Sequence, residues 1–427
     1  MNLQQKIFNA FVFLLPWQTI YITREIFIQG EKWQWATLGI YATQILLWLG
    51  IFLFFFDTLR IFLRQRTTNQ LHFQWSKDRH FFLAALVFVI YALASMFWSH
   101  DASIASQHAL WIMQSLLLFV IFISDRIDRH RLCQWFVGGA VLVAFLALAQ
   151  FAFQQTFDSR WLGLTQYDSS ASGTIVVEHP MVGRFLRSYG SFAHPNIFGG
   201  YMLVAIIVAF FFLHKKNDNS KKLCITAVFV LTFGLFFSFS RSAWIGLMLA
   251  SLVAVALDKQ AQKYVFLNLM IFFLLIVLCA PLAKSRLMSA GHIEAASVEY
   301  RLTGLQEVKE ILQSRVLLGS GGGNYTQQLL AIDPGRSVYS LQPVHNTALL
   351  VIAELGLLGF FLLLWGILAL FLWFGNTKGL WYLFALAPPF LFDHYLYTSH
   401  VGLLLVGILI GTIFQPSIEK APILAKK

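Results

Sequence analysis

Charged residues are scarce in this sequence: Asp, Glu, Lys and Arg make up 12% of its 427 residues, against 58% apolar. A water-soluble domain of that length could not coat its surface with so few polar side chains, so an ordinary aqueous fold is excluded and a bilayer must act as solvent. The mean hydropathy of +0.67 says the same. Cysteine is nearly missing too. Cys133, Cys224 and Cys279 have no CxxC spacing and no histidine pair nearby, and each lies in or beside an apolar run, so neither a disulfide nor a zinc site is expected. No small-residue cleavage site follows the first apolar run, which is interrupted by Pro16, Trp17 and Gln18, and a retained first helix is expected in place of a removed leader. Acidic residues fall short of basic ones, 20 against 31, for a net charge of +11. The basic residues sit in short loops and form no continuous stripe, so a nucleic-acid partner is not expected.

What the chain has is apolar runs. Windows long enough to cross the hydrocarbon, about 20 residues each, lie at about 7–23, 36–56, 81–98, 108–124, 135–153, 198–213, 223–239, 242–257, 264–283, 347–374, 379–393 and 400–415. The expected fold class is all-α, a polytopic transmembrane helical bundle of about 12 spans. Aromatics reach 16%, which suits lipid-facing helices with an interfacial belt. No internal repeat is visible, and no long central loop separates two halves, which weakens the commonest twelve-helix transporter plan. A single integral membrane domain over 1–427 is expected.

Placing the N-terminus in the cytoplasm gathers more than half of the 31 basic residues on that side. Both termini are then cytoplasmic, and the two long segments at 154–197 and 284–346 form outer loops. These loops hold Arg160, Arg184, Arg187, Arg286, Arg301, Arg315 and Arg336. Arginine outnumbers lysine there, and its planar, permanently charged fork suits phosphate recognition. For any one of them a solvated loop charge is an equally good explanation.

Five clusters could carry chemistry. Arg187 to Asn196 reads Arg-Ser-Tyr-Gly-Ser-Phe-Ala-His-Pro-Asn just before an apolar window. It is either a plain helix start or a place where the positive helix end, His194 and Asn196 meet an anion. Phe239-Ser-Arg241-Ser-Ala-Trp244 pins one arginine at a membrane boundary, where snorkelling is the competing explanation. Residues 299–312 place Leu302, Leu305, Val308, Ile311 and Leu312 at helical spacing, predicting an amphipathic helix. The glycines that follow, Gly319 to Gly323, lack the Gly-Lys-Ser/Thr ending of a nucleotide loop and at most offer N–H groups to an anion. His345 and Asn346 precede the window that contains Glu354. An imidazole there is the candidate general base, or else a structural histidine satisfied by a loop carbonyl. A carboxylate inside a membrane helix, such as Glu354, is functional or paired by default, plausibly with an arginine. Finally, Asp393 in Phe392-Asp-His-Tyr could orient His345 or an arginine, or belong to an ordinary turn.

The order of these fragments, a His-Pro-Asn before a span, a Ser-Arg-Ser-Ala-Trp between spans, a long arginine-bearing loop ending in glycines, and a His-Asn before a span containing Glu-Leu-Gly, resembles the O-antigen ligase and polymerase superfamily over roughly 185–400. The resemblance implies a bacterial inner-membrane glycosyltransferase. It would move a glycan from a polyprenyl-diphosphate donor to a sugar hydroxyl of a lipid A core or another glycan acceptor, with inversion and with no cofactor or metal. The essential arginines would be Arg241 and Arg301, and the base His345. Arg187, His194, Asn196, Asn346, Glu354 and Asp393 would be substrate-binding. The scattered outer acidic residues Asp158, Asp168, Glu178, Glu294 and Asp333 include no Asp-x-Asp pair, in keeping with metal independence. Polysaccharide polymerases and protein O-oligosaccharyltransferases would use the same donor, and a secondary transporter of an anionic solute is the alternative of another class.

Overall fold

The computed structural model describes residues 3–66, 79–171, 173–211, 218–257, 259, 262–288, 292–374 and 378–413; within its helices the side chains of 64–66, 79, 218–221, 292–301, 373–374 and 378 lie outside the described residues. The chain is a helical bundle. Its first half contains α1 (Leu3–Leu14), α2 (Ala42–Arg66), α3 (Arg79–Ala94), α4 (Ala102–Ile123), α5 (Arg129–Phe153) and α6 (Pro195–Phe210). Next come α7 (Asp218–Phe237), α8 (Arg241–Leu257), α9 (Gln262–Leu278), α10 (Ala280–Met288), α11 (His292–Arg315) and α12 (Tyr325–Ile332). The last are α13 (Thr347–Phe374), α14 (Ala387–Phe392), α15 (Tyr395–Thr398) and α16 (His400–Ile413).

Among the described residues, five helices are long and apolar enough to cross a membrane, or six if the bent pair α9 and α10 counts as one span. The expected count of about 12 is therefore not confirmed, although shorter apolar helices occupy most of the remaining windows. The window at 7–23 is the clearest departure. Its helix stops at Leu14 because Pro16 disfavours helical geometry in the residue before it, and the chain continues as strand from Ile20.

The all-α expectation also needs correcting. Among the described residues there are three two-stranded antiparallel sheets, pairing β1 (Ile20–Arg24) with β4 (Leu38–Tyr41), β2 (Phe27–Ile28) with β3 (Glu31–Lys32), and β5 (Val176–His179) with β6 (Gly183–Leu186). Strands this short leave no alternation to read, because a period of two needs several repeats before it stands out from chance.

Helices pack closely where side chains are small. On α16, a β-carbon added at Gly407 would meet the Ser115 carbonyl of α4 at 2.5 Å, and one at Gly411 would meet Phe122 Cβ at 2.4 Å. This four-residue spacing of glycines lets two membrane helices approach without intervening side chains. Ser115 Oγ uses the closeness to donate to the Leu403 carbonyl at 2.6 Å.

One helix is broken. Within α13, Gly356 has φ +65° and ψ −174°, which interrupts the hydrogen-bond ladder. The freed groups are taken up by the segment before α12: Leu357 N–H donates to Val316 O at 3.0 Å, Ser320 N–H to Ala353 O at 2.9 Å and Gly321 N–H to Glu354 O at 2.7 Å. A break in a membrane helix persists only when other protein groups satisfy the backbone in this way.

On α11, Val308 and Ile311 are buried as expected. Leu302 and Leu305, however, are 61% and 51% exposed, so only the C-terminal half of the anticipated apolar stripe packs inward.

Candidate functional site: a cavity where three segments meet

A cavity of about 1210 Å³ opens at the end of the bundle that carries the sheets, and its walls come from residues 18–41, 150–197, 286, 323–354 and 393–401 among others. The segment at 20–41, which the apolar windows divide between two spans and the gap 24–35, supplies Gln34 and Trp35 to the wall.

The start of α6 shows why the first cluster has its residues. His194 is the N-cap, extended in backbone, and its Nδ1 accepts the Asn196 N–H at 3.0 Å. Pro195 fills the first helical position, where a missing N–H costs nothing. The helix-start reading is thus correct, and His194 and Asn196 also line the cavity. Capping sets the Asn196 side chain at the helix mouth. Its Oδ1 accepts from Arg187 Nη2 at 2.5 Å, and its Nδ2 donates to Asp393 Oδ2 at 2.7 Å.

From Asp393 the network reaches His345. Asp393 is buried, its Oδ1 accepts the His394 backbone N–H at 2.8 Å, and the same oxygen lies 3.9 Å from His345 Nδ1. The Thr347 hydroxyl, at the start of α13, donates to the Asp393 carbonyl at 2.9 Å and ties the two loops together. Arg187, Asn196, Asp393 and His345 come from three distant stretches of sequence and form one continuous polar chain.

The electrostatics follow from this packing. Burial by itself would raise the Asp393 carboxyl, but the adjoining His345 imidazole, joined by His394 and His194 once these protonate in acid, outweighs it and holds the group below the usual carboxylate range. His194 is pushed down to about 3, by burial first and then by the Arg187 charge. His394 is pushed down to about 4, by burial and then by His345. Both are neutral at pH 7, so neither adds positive charge beside Arg187.

Two arginines clamp one turn. Arg187 Nε donates to the Ser238 carbonyl at 2.7 Å, and Arg286 Nε, from the last turn of α10, donates to the Phe239 carbonyl at 2.8 Å. Phe239 sits at φ +48°, an uncommon conformation for a bulky residue that needs such external support. Arg241 opens α8 directly after this turn and is half-buried, but it is not among the residues lining the cavity. The Arg301 side chain lies outside the described residues, although its backbone belongs to α11.

Two candidates have structural employment. Asn346 caps α13, its Oδ1 accepting the Leu349 N–H at 3.0 Å while its Nδ2 donates to the Leu391 carbonyl at 3.0 Å, and it does not line the cavity. Among the described residues Glu354 has no arginine partner, contrary to expectation. Its Oε2 accepts the Gly323 N–H at 2.6 Å and its Oε1 the Tyr325 N–H at 3.3 Å. The glycine run does offer an N–H group, that of Gly323, and its acceptor is the Glu354 carboxyl group at the N-terminus of α12.

Sequence reasoning missed two residues. Arg286 was one loop arginine among seven, with no motif around it, and it lines the cavity. His394 stood beside Asp393 in the sequence, and its ring lies 5.0 Å from that of His345. One ligand atom each from His345, Asp393 and His394 lie within 4.8 Å of one another, a grouping that could hold a metal ion. No local spacing such as Asp-x-Asp announces it, because the residues are brought together by the fold.

Residues 225–364, about a third of the chain, match the family model described as O-antigen ligase. The resemblance read from the sequence therefore stands, and the match takes in Arg241, Arg301, His345 and Glu354. Arg187, His194, Asn196 and Asp393 fall outside it. No curated protein and no solved structure matches the chain.

Proposed function

We propose, from the premise of an O-antigen ligase match over residues 225–364, that the protein is an inverting glycosyltransferase of the inner membrane with its cavity on the periplasmic face. The donor is a polyprenyl-diphosphate-linked glycan and the acceptor a sugar hydroxyl, with a lipid A core as the favoured acceptor. The long segments at 154–197 and 284–346 form that face, and both termini are cytoplasmic.

The observation that carries this reading is the polar chain from Arg187 through Asn196 and Asp393 to His345 along one cavity wall. Asp393, ionised and fixed by Asn196 and the His394 N–H, orients His345 through Nδ1, so that Nε2 takes the proton from the acceptor hydroxyl. As that proton leaves, the acceptor oxygen forms its bond to the anomeric carbon from the face opposite the leaving group. The bond from that carbon to the phosphate oxygen breaks, and the polyprenyl diphosphate departs with the electron pair. Arg187 binds the growing charge at the diphosphate, with Arg241 and Arg301 assigned the same task by the resemblance.

The test is transfer by purified protein from a polyprenyl-diphosphate glycan to candidate acceptors. Removing Arg241 as Arg241→Ala lowers the rate by about 10²–10³, the loss typical of deleting one donor that stabilises transition-state charge. A folded variant with the wild-type rate removes Arg241 from the mechanism. EDTA leaves transfer unchanged, because the proton transfer assigned to His345 needs no ion. Activity lost to EDTA and restored by a divalent cation would instead make His345, Asp393 and His394 a metal site.

The break in α13 is what a transporter of an anionic solute would also show. Its exposed backbone and Glu354 are bonded to the 316–325 segment, which favours the enzyme reading.

A further inference from the structure

We propose that His345, Asp393 and His394 form a binding site for a divalent transition-metal ion of the zinc type, and that the ion inhibits the protein by occupying its general base. The proposal rests on reading His345 as that base. It makes the ion a competitor of the reaction, which proceeds without it.

The first support is the donor set and its spacing. One ligand atom from each of the three residues lies within 4.8 Å of the others. Two imidazoles and one carboxylate suit zinc, copper or nickel, whereas calcium and magnesium take oxygen ligands. His345 Nδ1 and Asp393 Oδ1 are 3.9 Å apart. Ligands at about 2.0–2.1 Å from one zinc ion are separated by at most about 4.2 Å, so a single ion can join these two. His345 lies in a loop with 29% of its side chain exposed, which lets its ring close on the ion. All three residues line the cavity, so a fourth position stays open to water, the pattern in which three protein ligands leave zinc reachable.

The second support is what holds the ligands from behind. Histidines that bind metal bond their other ring nitrogen to a fixed partner, which selects the tautomer. His394 has such a partner. The Thr398 hydroxyl carries one proton and donates it to the His394 carbonyl at 3.2 Å, so at 2.8 Å it accepts from His394 Nδ1–H, and Nε2 is left with the lone pair. Trp35 packs edge to face on the same ring, with centroids 5.3 Å apart, and fixes its plane. The carboxylate is braced as well, Oδ2 by the Asn196 amide at 2.7 Å and Oδ1 by the His394 N–H at 2.8 Å. A carboxylate oxygen can accept that N–H and still bind an ion through its second lone pair.

Inhibition follows from the position of one proton. As base, the His345 ring carries its proton on Nδ1, towards Asp393, and keeps Nε2 free for the acceptor hydroxyl. An ion on Nδ1 takes the lone pair there and leaves the ring proton on Nε2. The nitrogen that would take the hydroxyl proton then already has one.

The experiment compares wild type, His394→Gln and Thr398→Val as full chains in detergent without a polyhistidine tag, with folding checked by size-exclusion chromatography and thermal melting. Zn²⁺ binding is measured by calorimetry, Co²⁺ is added for its visible absorption, and transfer is assayed with and without Zn²⁺. Wild type is expected to bind about one Zn²⁺ more than His394→Gln does and to give a Co²⁺ band that His394→Gln lacks. As the site fills, the wild-type transfer rate is expected to fall by about 10²-fold or more, the loss of a general base, and to recover on adding EDTA. In His394→Gln the ratio of the rates with and without Zn²⁺ is expected to return close to unity, which also removes Zn²⁺ bound to the donor diphosphate as the cause. Thr398→Val is expected to need about 10–100-fold more Zn²⁺ for the same occupancy. Equal Zn²⁺ binding by folded wild type and His394→Gln overturns the site. Occupancy that leaves the wild-type rate unchanged, or raises it, overturns the inhibition. A metal-free wild type that transfers nothing defeats the glycosyltransferase reading alone, since the binding comparison still tests the site.

Discussion

Replacing His345 with alanine lowers the rate of glycosyl transfer by about 10²–10⁴, the range for loss of a general base, while the protein remains folded and still binds donor. The expectation of intact folding comes from the surroundings: His345 is partly exposed at 29% of its side chain and lies in a loop, so its removal opens no core cavity. The expectation of intact binding comes from the division of labour, since the phosphate contacts belong to arginines. Steady-state kinetics would show kcat falling with donor KM nearly constant. Asp393→Asn should reproduce much of the loss, because it removes the charge that orients the imidazole while keeping the carbonyl oxygen and the packing. Its effect separates a positioning role from bulk: an amide that restored the wild-type rate would show that the ionised carboxylate is not needed. A His345→Ala protein with wild-type turnover ends the mechanism proposed here.

Gly356→Ala is expected to be the most damaging single substitution to stability. The φ and ψ of Gly356 belong to a region that residues with a β-carbon hardly enter, at a cost of about 1–3 kcal/mol. In addition, the new β-carbon would lie 2.1 Å from the Leu317 carbonyl oxygen and 2.6 Å from the Leu318 nitrogen. These are backbone atoms, so no rotamer change relieves the clash. The segment 316–321 would have to leave α13, breaking the bonds to Ala353, Glu354, Leu357 and Leu358 together. Lower yield of monodisperse protein and a lower melting temperature in detergent are the expected readouts. A variant that melts with the wild type would mean that the helix closes over the break without loss.

Much of this architecture is legible in the residues themselves. The scarcity of charge requires a bilayer, the apolar windows mark the helices, and Pro195 after His194 announces the start of α6 because capping is a local event. The position of Asn346 before α13 is legible for the same reason, and there it caps the helix. The small sheets were not legible, since strands of two to five residues carry too little pattern and the loop at 20–41 has no motif.

Function divides along the same line. By itself the sequence determined the solvent, the helical bundle, the likeness to O-antigen ligases and the candidate status of His345 and Asp393, because each depends on composition or on neighbours along the chain. Only the tertiary structure decided which partners those residues have. It joined Arg187, Asn196, Asp393 and His345, brought Arg286 to the same wall, and gave Glu354 to the glycine turn instead of an arginine. The physical reason is that hydrogen bonds and charge pairs act over a few ångströms in space, and residues nearly two hundred positions apart come within that range only once helix packing has set their distance.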